Sequence, residues 1–205
     1  MYTTLVITIL SAYILGLVSP GPDFIMVVKN SLSFGRKSGI ITAMGIGLGV
    51  GIHILYCLFG LAIIISKSIL LFNVIKILGA LYLIYIGYLT LKSKGTNIYI
   101  QENKKGKISN FSSFKMGFLT NVLNPKISLF FLGLFTFVIK PETPYYIIGL
   151  TGIILIIITG IWFSLVSVFL TTPKTQNIFN KFSFIFNKIF GGLIILLGTK
   201  IILSK

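Results

Sequence analysis

Asp23 is one of only three acidic side chains in a chain of 205 residues, and it lies inside an apolar stretch. It is preceded by Ser19-Pro20-Gly21-Pro22. In the second half of the chain Asn124-Pro125-Lys126 interrupts another apolar stretch, and the lone histidine, His53, falls in the middle of a third. Proline has no N–H and clashes with the carbonyl four residues back. Each proline group is therefore expected to unwind a helix and start a new one, with Pro22 or Pro125 in its first turn and Asn124 as an N-cap. A helix N-terminus inside a membrane offers free N–H groups and the positive end of a dipole, which attract an anionic group. Asp23 has the opposite sign and suits an ammonium group or a proton. A small molecule that carries both a carboxylate and an ammonium is an amino acid.

Each residue also has a plainer reading. The prolines could merely kink two helices, since neighbouring helices satisfy freed backbone groups in many membrane proteins. Asp23 could form a structural ion pair with Lys126. His53 could be a hydrogen-bonded interior side chain rather than a proton relay or a substrate contact, because polar groups in spans face a cavity or a neighbour. No serine stands in a nucleophile motif with His53, so the nucleophile and base of a hydrolase are not in view and the chain is not expected to be an enzyme. Cys57 is the single cysteine, which excludes an intramolecular disulfide and a cysteine-based zinc site, and no cofactor is expected.

The elements that must position these residues are membrane helices. Apolar residues make up 55% of the chain, charged residues 10%, and the mean hydropathy is +1.00. The apolar residues form long runs such as 40–65 and 147–170, long enough to span a bilayer. We read an all-α integral membrane protein with six spans, at 4–32, 38–66, 69–91, 114–139, 144–170 and 189–203, the first and fourth broken at the proline groups. The last is short, and the aromatic run at 182–186 precedes it. The first segment lacks a basic leader and an A-x-A-like cleavage site, so it is expected to be retained.

The formal charge of +15 does not point to nucleic acid, because the basic residues sit in short connections between apolar runs. Six spans put twelve basic residues, from Lys29 to Lys188, in the loops on one side, and only Lys67, Lys140 and Lys205 on the other. The positive-inside rule then places both termini outside the cytoplasm in a multi-pass protein of the cell membrane. Residues 92–113, the one long polar connection, read as a cytoplasmic loop between two three-helix units at 1–91 and 114–205. The two units match in order. Gly21-Pro22-Asp23 answers Asn124-Pro125-Lys126, Gly51-Ile52-His53 answers Gly160-Ile161-Trp162, and Ala80 and Gly87 answer Gly191 and Gly198 at the same spacing. With three spans in each unit, the halves enter the membrane in opposite directions as inverted repeats, an arrangement of many secondary transporters. Gly45/Gly49 and Gly47/Gly51 are spaced for close helix approach in the second span.

These residues resemble the LysE/RhtB superfamily of small amino-acid exporters. The resemblance runs nearly end to end. It rests on Ser19-Pro20-Gly21-Pro22-Asp23-Phe24, Gly35-Arg36-Lys37-Ser38-Gly39, the 45–53 segment, Gly79-Ala80-Leu81-Tyr82-Leu83-Ile84-Tyr85-Ile86-Gly87, and Gly117-Phe118-Leu119-Thr120-Asn121-Val122-Leu123-Asn124-Pro125-Lys126. It implies export of amino acids from the cytoplasm by exchange with protons, and a homodimer in the lipid bilayer. Carried over residue by residue, the binding positions it implies are Pro20, Gly21, Pro22, Asp23, Asn124, Pro125 and Lys126. Related transporters handle metal cations. That alternative needs acids or soft ligands in the spans, where only Asp23 and Cys57 are available.

Overall fold

The computed structural model describes residues 2–93, 106–139, 143–170 and 172–203. The described residues form helices and no strand: α1 (Tyr2–Val18), α2 (Pro22–Phe34), α3 (Arg36–Lys67), α4 (Ile69–Lys92), α5 (Asn110–Val122), α6 (Pro125–Val138), α7 (Tyr145–Phe169) and α8 (Pro173–Leu203). By length and composition α3, α4, α7 and α8 can each cross a membrane. The pairs α1–α2 and α5–α6 pass the same test only together, bent by 51° and 52° at their breaks. A deflection of that size leaves both halves running on in one general direction, so each pair can act as a single broken span. Large apolar side chains such as Leu70, Leu81, Ile153 and Leu196 are exposed, a surface suited to hydrocarbon.

Both breaks fall at the prolines. Pro22 and Pro125 occupy first-turn positions of α2 and α6, where a missing N–H costs nothing. Between α2 and α3 the chain turns at Gly35, whose φ of 95° disfavours any residue with a Cβ. Two boundaries differ from the sequence reading. Helix α5 begins at Asn110, earlier than expected, because Ser109 caps it by accepting from Ser112 N at 3.0 Å. The last span is far longer than 189–203, since α8 runs unbroken from Pro173. Three of the polar residues that interrupt its apolar pattern are turned inward: Gln176, Ser183 and Asn187 are buried, and Asn187 donates to Ser93 Oγ at 3.2 Å, while Lys174, Asn177, Lys181 and Lys188 are exposed. The loop expected over 92–113 falls mostly on residues 94–105, which lie outside the described residues, as do Lys94, Lys104, Lys105, Lys140 and Lys205.

Glycine sets the packing. A Cβ on Gly45 would come 2.2 Å from the Phe114 carbonyl oxygen, and one on Gly117 would come 2.1 Å from that of Thr42, so α3 and α5 cross in direct backbone contact. The other glycine pair of α3 faces α7, with Gly47 against Ile156 and Gly160 and Gly51 against Ile156. The crossing of α4 and α8 pairs Gly87 with Gly191 and Ala80 with Gly198. Buried hydroxyls join the elements around α2. Asn30 donates to Thr42 Oγ1 (2.8 Å), Ser38 shares a bond with Ser113 (2.8 Å), and Ser31 donates to Ser167 (2.8 Å). Together these contacts fix α2, and with it Asp23, against α3, α5 and α7.

Candidate functional site

The two breaks meet in the interior. Asp23, in the first turn of α2, is 5% exposed. Asn121 donates to its Oδ2 at 2.7 Å and Asn124 to its Oδ1 at 3.4 Å. Asn124 performs two tasks at once. Its Oδ1 caps α6 by accepting from Lys126 N at 3.0 Å while its amide reaches Asp23. Lys126 extends back across the first break, where Nζ donates to Ser19 Oγ at 3.3 Å and stands 4.9 Å from the centre of the Phe190 ring. Among the described residues no direct ion pair joins Asp23 to Lys126, so each side chain reaches the cavity with hydrogen-bond partners of its own.

The two helix ends differ. Asn124 closes the N-terminus of α6 with its own side chain. Gly21, at the N-cap of α2, has no side chain to offer, so the first-turn N–H groups of Asp23 and Phe24 have no side-chain cap. The cavity at this end is about 30 Å³ and is lined by Ser19, Gly21, Asp23, Phe24, Asn124, Lys126 and Ile127 near the breaks. Tyr13, Gly16, Leu17, Phe130, Phe163 and Phe190 line the rest. That volume holds a water molecule or so and is too small for an amino acid. Phe24 closes one side, stacked on Phe179 of α8 with ring centres 4.6 Å apart. Beyond it a more open apolar groove of about 330 Å³ lies between Leu170, Phe179 and Phe186.

The residues singled out in the sequence thus divide into three groups. Gly21, Asp23, Asn124 and Lys126 line the cavity. Pro20, Pro22 and Pro125 shape the backbone around it and do not line it. His53 is fully buried and stands behind the site, not on its wall. Its Nε2 is 3.0 Å from the Asn121 carbonyl oxygen, which can only accept, so Nε2 carries a proton. Its Nδ1 is 2.9 Å from the Tyr56 hydroxyl, which also lies 3.1 Å from the Ser128 carbonyl oxygen. His53 therefore holds Asn121, and Asn121 holds Asp23.

Asn121, which donates to Asp23, is the residue of the candidate site that sequence reasoning passed over. Its signal was present, for Asn121 stands three residues before Asn124, in the last turn of α5 ahead of the break. Gly49 gives it room, since a Cβ there would lie 2.7 Å from Asn121 Oδ1. Among the described residues, no group of three or more His, Cys, Asp or Glu side chains could hold a metal ion.

Comparisons with known proteins find relatives over nearly the whole chain. The family model described as LysE type translocator matches residues 14–205. An uncharacterized membrane protein of Bacillus subtilis (strain 168), YrhP, is 29% identical over 195 residues, covering 90% of this chain and 92% of its own length. A threonine efflux protein of Escherichia coli (strain K12) is 29% identical over 203 residues, covering 98% of each chain. A threonine efflux protein of Salmonella typhi is 27% identical over 205 residues, covering 97% of each. No solved structure matches.

Proposed function

Since the chain belongs to the LysE type translocator family, and so is a transport protein rather than an enzyme, we propose that it exports amino acids from the cytoplasm in exchange for protons. The observation that carries this reading is the cavity between the two helix breaks, with a carboxylate and an ammonium on its wall. Lys126 and the uncapped first turn of α2 suit a substrate carboxylate. Asp23 suits the substrate ammonium or the coupled proton. The names of the threonine efflux relatives support the same substrate class.

The proposal includes an inverted repeat of α1–α4 and α5–α8. Nearly equal bends of 51° and 52° support it. So do the glycine contacts, because they exchange with one another under the repeat. If Ala80 corresponds to Gly191 and Gly87 to Gly198, then the Ala80–Gly198 contact maps onto the Gly191–Gly87 contact. Likewise the contact of Gly47 with Gly160 maps onto that of Ile156 with Gly51. In this arrangement α2 and α6 leave the midplane toward opposite leaflets. The termini lie outside the cytoplasm, as the basic loops suggest. The groove beyond Phe179 then opens to the cytoplasm, and parting of the Phe24–Phe179 stack admits substrate. In the closed state that stack separates groove from cavity.

Inside-out membrane vesicles test the proposal. Labelled amino acids should accumulate in vesicles that contain the protein when the lumen is acidic, and a protonophore should abolish accumulation. Uptake equal to that of vesicles lacking the protein, across all the common amino acids, would reject it.

A further inference from the structure

We infer that the transported class is neutral amino acids with apolar side chains, with the head group held at the helix breaks and the side chain directed outward along α1 and α6. The inference rests on the exporter reading and adds a side-chain specificity to it. Among the described residues, Asp23 and Lys126 are the only charged side chains on the cavity wall. Whether Asp23 takes the substrate ammonium or a proton, both charges are committed to the head group and the coupling ion. A lysine, arginine or glutamate side chain would bring a further charge into a buried space with no counter-charge to meet it.

The wall away from the breaks is apolar. Leu17, Gly16 and Tyr13 lie two, three and six residues back along the chain from Ser19, so Tyr13 is more than a turn away, and Phe130 lies one turn on from Lys126 along α6. The one hydroxyl there, on Tyr13, is 2.6 Å from Thr159 Oγ1. Thr159 gives its own proton to the Leu155 carbonyl at 2.7 Å, so Tyr13 must donate to Thr159 and has no proton left for a substrate. A hydroxylated side chain would find an acceptor at most. Threonine is then carried as a poor isostere of valine, because an apolar pocket rejects an added hydroxyl by no more than about 100-fold.

Gly16 sets the size of this end. A methyl group on it would rest 3.4 Å from Phe190 Cε2 and 3.7 Å from Phe130 Cε2. Those are ordinary contact distances, so Gly16→Ala leaves the helix packing intact while filling space on the side-chain path.

The test is counterflow of labelled amino acids in proteoliposomes of the purified protein, wild type and Gly16→Ala. Leucine, valine and methionine should exchange fastest and threonine more slowly, with lysine, arginine and glutamate at the level of protein-free liposomes. Gly16→Ala should lower the ratio of leucine to alanine counterflow by about tenfold, the penalty for about one excess methylene in a closed pocket. This ratio does not depend on the fraction of active protein. Lysine or glutamate exchange as fast as leucine would overturn the specificity and leave the exporter reading standing. An unchanged leucine-to-alanine ratio in Gly16→Ala would do the same. Failure of every amino acid to exchange would overturn both.

Discussion

Asp23 receives its hydrogen bonds from two asparagine amides and none from the lysine opposite, and this decides what its removal should do. Asp23→Asn keeps the shape and one acceptor, so the Asn121 bond can survive. The Asn124 amide would then face another amide, a mismatch that costs about 1–3 kcal/mol. The protein should still insert and fold. Its pH-driven export should fall at least about tenfold, the usual scale of a lost charge contact in a buried site. Two assays separate the roles. If Asp23 carries the proton, substrate counterflow persists in Asp23→Asn; if it binds the ammonium, counterflow falls with export. Wild-type rates and pH dependence in well-folded Asp23→Asn would remove Asp23 from the mechanism. Because Lys126 bonds Ser19 and not Asp23, adding Lys126→Met to Asp23→Asn should not restore expression, as it would if the two were a structural pair.

At the scale of the element, the two breaks locate the site. Pro22→Ala and Pro125→Ala each let a continuous helix re-form across the break, which would consume the N–H groups at the end of α2 and shift Asn124 from its cap. Transport should fall on the order of 100-fold, as expected when binding groups move by about 1 Å, while the amount of inserted protein changes little. Equal loss of insertion and transport would make the prolines structural only. The breaks were legible in the sequence because Pro-Gly-Pro and Asn-Pro have few uses inside an apolar span. The helix limits of α3, α4 and α7 were legible from hydropathy alone. Helix α8 was not, because its first half carries Gln176, Ser183 and Asn187 turned inward and Lys174, Lys181 and Lys188 exposed, so that it reads as a polar connection. The side chains at the breaks were legible by type, but their division of labour was not. Position within a span cannot tell that His53 stands behind Asn121, or that an aromatic wall from α1, α6, α7 and α8 completes the cavity. Those are consequences of which helices cross, and the crossings depend on single glycines such as Gly45 and Gly117.

For the whole molecule, the basic loops predict orientation. In cells expressing single-cysteine variants made in a Cys57→Ser background, Tyr2→Cys should react with an impermeant thiol reagent from outside and Asn97→Cys should not. The reverse pattern would invert the topology. An exporter with one central site must also expose that site to each side in turn, although the conformation described here keeps it closed behind Phe24 and Phe179. Ser19 lies on the cavity wall beside Lys126, so a thiol there reports on the site directly. The most direct measurement is the rate at which Ser19→Cys, in the Cys57→Ser background, reacts with an impermeant reagent added to right-side-out or to inside-out vesicles, with and without saturating amino acid. Alternating access to a cavity between the two breaks predicts reaction from both sides and a slower rate from each when the amino acid is present. Reaction from one side only, or rates that ignore an amino acid the same protein transports, would contradict it.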